Sequence, residues 1–161
     1  MLSMIPSILA GIDLRDLERI KTIARKAYPT VPQLSTDLLV EWMEKMEPAL
    51  LLVDVRTPEE FAVSHLRSAR NLRTTWQIAD AVAEQKPSKT ILYCSVGFRS
   101  SRLGHLLAQQ GVKDVLNLEG SIFEWANEGH AVYRGDVPVQ QVHPYGRRWA
   151  RLLKAGIAWE C

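Results

Sequence analysis

Cys94, Gly97, Arg99 and Ser100 lie in one short stretch, residues 94–100, and their chemistry suits a reactive sulfur anion. A cysteine acts as a nucleophile in its thiolate form, which positive charge and hydrogen-bond donors favour. Gly97 can adopt the positive φ of a tight anion-binding turn. Arg99 supplies a permanent charge with planar donors. The pattern predicts nucleophilic chemistry at Cys94.

Two regular elements should position this stretch. The apolar run at 90–93 predicts a buried strand that ends at Cys94. Ser100 and Ser101 are candidate N-caps for a helix whose leucines follow at helical spacing, and Gly111 predicts its end. A strand, a tight loop and a helix N-terminus in this order favour binding of an anion.

The spacing Cys94-x-x-Gly97-x-Arg99-Ser100 resembles the active loop of single-domain rhodanese-like sulfurtransferases. Two further stretches resemble that family's signature regions in the same order, LVDVRTPEEF at 52–61 and LEGSIFEW at 118–125. The resemblance covers about residues 35–134. It implies a rhodanese-like α/β fold with a mostly parallel central sheet and helices on both faces, and the alternation of helices with apolar strands favours the same class.

The resemblance also implies a reaction. The Cys94 thiolate would take a sulfane sulfur from thiosulfate or a persulfide, and the Cys94 persulfide would pass it to a thiol, a protein or cyanide. Arg99 would bind the donor or close the loop. No cofactor or metal is implied. The loop residues whose backbone N–H groups would bind the terminal sulfur are Ser95, Val96, Gly97, Phe98 and Ser100.

The chain departs from the family pattern in two respects. Ser64, Ser68 and Ser121 stand where the family often has glycine, which concerns local turns. Ser95, Val96 and Phe98 are uncharged, whereas members that use thiosulfate well tend to carry basic residues in this loop. The sulfur donor is therefore open between thiosulfate and a persulfide.

Asp54 and Arg56 fall at the C-terminal end of a predicted central strand at 50–55, which is the sheet edge where α/β folds bind ligands. By resemblance they support the active loop from beneath. The alternative is a purely structural ion pair, because paired charges more often organise a site than react in it. His65 could be imagined as a base for Cys94, but its place in the signature favours a structural role.

Three other interpretations of Cys94 are open. A cysteine phosphatase also uses Cys, Arg and a cradle of amides, but its loop is one residue longer than the stretch between Cys94 and Arg99. A persulfide carrier would use the same residues without turnover, since fold alone does not determine function. A buried structural thiol is the third possibility.

Composition narrows the function classes. Net charge is +2 over 161 residues, which is too small to indicate nucleic-acid binding. The two cysteines, Cys94 and Cys161, suggest no disulfide framework and indicate a reducing compartment, so we expect a cytoplasmic protein. No apolar run is long enough to span a bilayer. Cys161 is either a resolving thiol or an incidental terminal residue, and the sequence does not determine the oligomeric state.

We divide the chain into an N-terminal helical extension (1–34), a rhodanese-like domain (35–134) and a C-terminal extension (135–161). Amphipathic patterns predict helices at 13–28 and 147–157. Both are expected to pack on the domain, and the alternative for the basic C-terminal helix is docking to a partner or a membrane surface.

Overall fold

The computed structural model describes residues 16–46 and 49–160. Its strands are β1 (Gln33–Leu34), β2 (Leu50–Asp54), β3 (Arg70–Asn71), β4 (Lys89–Tyr93), β5 (Val115–Leu118), β6 (Val132–Arg134) and β7 (Val137–Val139). The first five form one sheet in the order β1-β5-β4-β2-β3, and its neighbouring strands run parallel. The last two form an antiparallel hairpin. The predicted α/β class with a mostly parallel sheet is confirmed.

Six α-helices surround the sheet within the described residues. They are α1 (Leu17–Ala27), α2 (Thr36–Lys45), α3 (Pro58–Val63), α4 (Thr75–Gln85), α5 (Phe98–Gln109) and α6 (Ser121–Asn127). The predicted helix at 13–28 is observed at 17–27, and residues 13–15 lie outside the described part of the chain. No helix in that part combines the length and apolar composition needed to cross a membrane.

Both faces of the sheet are covered by helices. Successive side chains along a strand point to opposite faces, so β4 contributes to both of the resulting cores. Ile91 and Tyr93 of β4 pack into the cluster that contains residues of α1, α2 and α6. Leu92 points to the opposite face and packs with Ile78 of α4 and Leu107 of α5. A central parallel strand with two buried faces explains the continuous apolar run that precedes Cys94.

The helix starts differ in part from the sequence prediction. Thr57 and Glu60 form the predicted capping box of α3, with Pro58 at the first turn. However, α5 begins at Phe98 with Gly97 as its N-cap, so Ser100 and Ser101 lie inside its first turns and are not N-caps. The short predicted loop is therefore tighter than expected, because the helix begins directly after Gly97.

The predicted amphipathic helix at 147–157 is wrong. The structure has a short 3-10 helix at Trp149–Leu152, followed by Leu153 in an extended conformation. Asn127 at the end of α6 takes the backbone groups that would continue the helix: its Nδ2 donates to the Leu152 carbonyl (2.7 Å) and its Oδ1 accepts from the Lys154 N–H (2.8 Å). Trp149 is buried in the core, so the segment packs on the domain.

Asp54 and Arg56 form a buried ion pair at the carboxyl end of β2. Arg56 Nη2 lies 2.7 Å from Asp54 Oδ2, and both side chains are fully buried. Arg56 Nη2 also donates to the Ser64 carbonyl at 2.6 Å, while the Asn71 amide donates to the carbonyls of Asp54 and Arg56. The Arg56 side chain thus joins the end of β2 to the end of α3, and the Asn71 side chain joins β3 to the backbone of both residues.

Arg56→Met should lower the free energy of unfolding by about 3–5 kcal/mol, because Asp54 would be left as an unpaired buried charge. Lys89→Met is the matched control. It removes a pair with Asp114 whose side chains are 35% and 56% exposed, and should cost less than about 1 kcal/mol. Urea denaturation measures both losses, and equal losses would contradict a stabilising role for the buried pair.

Candidate active site

Cys94 lies directly after β4 and is 1% exposed. The Gly97 N–H donates to its Sγ at 3.1 Å, which closes the loop around the sulfur. Gly97 has φ of +96°, and a Cβ there would come within 3.1 Å of Asn117 Nδ2. Both the backbone conformation and the close approach of Asn117 explain why glycine occupies this position.

The surroundings of Cys94 favour its thiolate. Burial by itself raises the pKa of a thiol, but the charge of Arg99 and hydrogen bonds from Ser100 and Gly97 outweigh it and lower the pKa of Cys94 below its usual value. Ser100 Oγ lies 3.4 Å from Sγ. These contacts therefore favour the thiolate form of Cys94 over the neutral thiol.

Glu60 holds Arg99 in place. Arg99 Nη1 donates to Glu60 Oε2 (3.1 Å) and Nη2 to Glu60 Oε1 (2.9 Å), a two-pronged pair. Ser95 Oγ accepts from Arg99 Nη2 at 3.0 Å and donates to Glu60 at 3.2 Å. Burial opposes the charged form of Glu60, yet the hydrogen bonds and charge of Arg99 lower its pKa to about 2. Glu60 also raises the pKa of Arg99, against the effect of burial.

The start of α6 fixes the backbone of the Cys94 loop. The N–H groups of Ile122 and Phe123 donate to the carbonyls of Cys94 (3.2 Å) and Ser95 (3.0 Å). Ser121 Oγ accepts from the Cys94 N–H at 3.2 Å and donates to the Leu118 carbonyl at 2.9 Å. Ser121 has φ of +51°, a left-handed conformation that favours glycine and strains the backbone of a serine. In this conformation its hydroxyl makes both of these hydrogen bonds.

The predicted loop residues have different surroundings. Val96 and Phe98 are buried in the apolar core, so only their backbone groups remain for an anion. Ser95 bonds Glu60 and Arg99, whereas Ser100 faces the sulfur. The Asp54–Arg56 pair adds to this arrangement electrostatically, because Arg56 helps lower the pKa of Glu60.

A C-terminal segment that the sequence did not implicate reaches the same site. The ring centroid of Tyr145 lies 4.6 Å from Arg99 Cζ, a cation–π geometry. His143 is close enough to feel the charges of Glu60 and Arg99, although burial is the main cause that lowers its pKa. No local pattern could have revealed these contacts, since they join distant parts of the chain.

His65 has a structural environment. Its ring stacks on Phe61 with centroids 4.2 Å apart, and its Nδ1 lies 2.8 Å from the Leu66 carbonyl. Its backbone pairs with Tyr133.

Within residues 16–46 and 49–160, side chains that could together bind a metal ion are those of the surface group Asp37, Glu128 and His130. This group contains none of the residues around Cys94.

Glu60→Gln should change how the free energy of unfolding depends on pH in the acid range. A carboxylate with a lowered folded-state pKa stabilises the protein above its unfolded pKa, near 4.5, and loses that contribution as pH falls towards about 2. The gap in free energy of unfolding between parent and variant should therefore narrow by about 2 kcal/mol from pH 6 to pH 3. Urea denaturation across that range measures it.

The matched control for this pH series is Glu41→Gln, which removes an exposed pair with Lys45. Its gap to the parent should stay small throughout. A constant gap for Glu60→Gln would mean that the Arg99–Glu60 pair contributes nothing to acid stability.

Arg99→Gln should raise the pH midpoint of Cys94 alkylation by iodoacetamide by about 1–3 units, because the thiolate loses the positive charge that lowers the pKa of Cys94 and Glu60 is left unopposed. Arg102→Gln, which removes an exposed arginine of the same helix, should leave the midpoint unchanged. An unchanged midpoint for Arg99→Gln would show that Arg99 does not stabilise the thiolate.

Comparison with known proteins places this geometry in a family. The family model described as a rhodanese-like domain matches residues 35–128. A sulfurtransferase of Allochromatium vinosum is 38% identical over 80 residues, which cover 50% of this chain and 75% of that protein. An uncharacterised protein of Synechocystis is 31% identical over 85 residues, 53% of this chain and 48% of that protein.

Other relatives are longer. A tRNA uridine(34) hydroxylase of Hamiltonella defensa is 31% identical over 49% of this chain, but the match spans only 24% of that protein. The match thus spans about half of the Synechocystis relative and a quarter of the hydroxylase.

A solved structure agrees with the sequence comparisons. The rhodanese-like domain protein of Staphylococcus aureus superimposes with a TM-score of 0.51 and 29% identity, over 62% of this chain and 95% of that one. Residues 35–128, which the family model matches, contain the strand, loop and helix around Cys94, together with Glu60 and the start of α6. This chain therefore belongs to the rhodanese-like domain family.

Proposed function

We propose that this protein is a sulfurtransferase that works through a Cys94 persulfide. The observation that carries the proposal is the sulfur of Cys94 inside a tight loop, with the Gly97 N–H at 3.1 Å, the Ser100 hydroxyl at 3.4 Å and a lowered pKa. Membership of a family with a sulfurtransferase among the relatives supports the same reaction.

The reaction has two half-reactions. The Cys94 thiolate attacks the outer sulfur of the donor, the donor's S–S bond breaks, and its electron pair leaves with sulfite or with a thiolate. A nucleophilic acceptor, cyanide in an assay or a thiol or protein in the cell, then attacks the outer sulfur of the Cys94 persulfide. The electron pair of the second S–S bond returns to Cys94, which regains its thiolate. The reaction needs no cofactor or metal.

The charge balance favours a persulfide over thiosulfate as donor. Glu60 matches the charge of Arg99, and Asp54 matches that of Arg56. The side chains of Ser95, Val96 and Phe98 add no charge. Neither Arg99 nor Arg56 is therefore left to offset the charge of a thiosulfate dianion as it approaches the thiolate, whereas a persulfide group carries at most one negative charge.

A phosphatase fits this geometry less well. Its arginine must offer a two-pronged set of donors to phosphate, but Glu60 occupies that position on Arg99. A persulfide carrier fits as well as an enzyme does, because both need a stable Cys94 persulfide. Cys94 is a free cysteine. Free thiols are typical of reducing compartments, so we propose the cytoplasm as the location of this protein.

Intact-protein mass spectrometry tests the proposal. Incubation with glutathione persulfide should add one sulfur atom to Cys94, cyanide should remove it, and thiosulfate should load the site more slowly. Cys94→Ser should stay unmodified, while Cys161→Ser should load normally if the terminal thiol takes no part. Steady-state turnover with cyanide indicates an enzyme, and loading without turnover indicates a carrier.

Failure to load from either donor would overturn the proposal, provided that the protein is folded and that iodoacetamide modifies Cys94 in a parallel, donor-free sample. Hydrolysis of para-nitrophenyl phosphate that depends on Cys94 would replace it with a phosphatase.

A further inference from the structure

A largely buried network of side-chain hydrogen bonds ends at Cys94. It begins at Gln33 on β1, passes through Asn117 on β5 and reaches Ser100 on α5. Asn117 is 1% exposed and Ser100 is fully buried. A buried polar side chain costs free energy unless it is hydrogen-bonded, so this network limits the orientations that each member can adopt.

Ser100 has one hydroxyl proton and two acceptors for it. Asn117 Oδ1 lies 2.5 Å from Ser100 Oγ, whereas Cys94 Sγ lies 3.4 Å away. When the proton points to Asn117, the lone pairs of Ser100 are available to a neutral Cys94 thiol. When it points to the sulfur, Ser100 stabilises the thiolate with a charge-assisted hydrogen bond.

The orientation of the Asn117 amide follows from its other partner. Asn117 Nδ2 donates to Gln33 Oε1 at 2.6 Å, so Oδ1 is left to accept from Ser100. Gln33 is held in turn, because its Nε2 donates to Ser101 Oγ at 3.3 Å. Gln33 and Asn117 are register partners on adjacent strands, so the sheet itself holds the two amides together.

We propose that Asn117 is a positioning residue that competes with the Cys94 sulfur for the Ser100 proton and so sets the ionisation of the thiol. In the second half-reaction the electron pair of the persulfide bond returns to Cys94. The Ser100 O–H would then turn from Asn117 to the new thiolate, with no proton transferred. This last step rests on the proposed sulfur transfer, whereas the effect on the free thiol does not.

The test measures the pH midpoint of Cys94 alkylation by iodoacetamide. Asn117→Leu removes the competing acceptor at similar size, so Ser100 donates to the sulfur and the midpoint should fall by about 0.5–1 unit. Asn117→Asp keeps an acceptor and adds a negative charge, so the midpoint should rise. Arg99, the charged group that acts on Cys94, and its partner Glu60 are unchanged in both variants.

A double-mutant cycle separates positioning from a general structural effect. Ser100→Ala should raise the midpoint. Adding Asn117→Leu to Ser100→Ala should not lower it, because without the Ser100 hydroxyl there is no proton for which Asn117 and the sulfur compete. Urea denaturation checks that each variant is folded. If Asn117→Leu does not fold, Asn117→Ala, which removes the same acceptor, should lower the midpoint in its place.

Two outcomes would overturn the proposal. One is an Asn117→Leu midpoint that rises or does not move. The other is a fall of the same size with and without Ser100. Neither outcome bears on sulfur transfer, because alkylation needs no donor. Conversely, failure of Cys94 to accept a sulfur would leave the predicted midpoints unchanged.

Discussion

The carboxylate of Glu60 is the contact on which the site depends. It caps α3 through the Thr57 backbone, binds Arg99 with two hydrogen bonds and accepts from Ser95. Because Glu60 is almost fully buried, its charge is stable only while Arg99 is present, and the position of Arg99 depends equally on Glu60. Arg99, whose charge favours the thiolate, is thereby held by Glu60 of α3, which lies 39 positions away in the sequence.

Around this contact, three elements surround one sulfur atom. The end of β4 places Cys94 at the carboxyl edge of the sheet, the start of α5 brings Gly97 and Ser100 to it, and the start of α6 ties down the loop carbonyls. The Gly97 N–H is held by the backbone of the loop, whereas the Ser100 hydroxyl has two acceptors, Asn117 Oδ1 and the sulfur. A backbone dipole fixed in this way can stabilise negative charge on the sulfur without reorganising.

The C-terminal segment adds a feature that lies beyond the residues matched by the family model. Tyr145 covers Arg99, and Val142 is fully buried and paired with Ala158, so the segment is part of the core. The guanidinium of Arg99 is thus met by Glu60 and Ser95 at its edge and by Tyr145 on its face.

By itself, the sequence determined the features that arise from short spacings: the strand–loop–helix around Cys94, the need for glycine at 97, the capping box of α3 and the parallel sheet with two covered faces. These follow from local backbone preferences and hydrophobic periodicity. Only the tertiary structure decided the partners of the site residues. Glu60 meets Arg99 across 39 positions, Asn117 meets Ser100 across 17, and Asn127 ends the expected C-terminal helix by bonding the backbone around Leu152. Such pairings depend on strand order and helix packing, which no local pattern encodes.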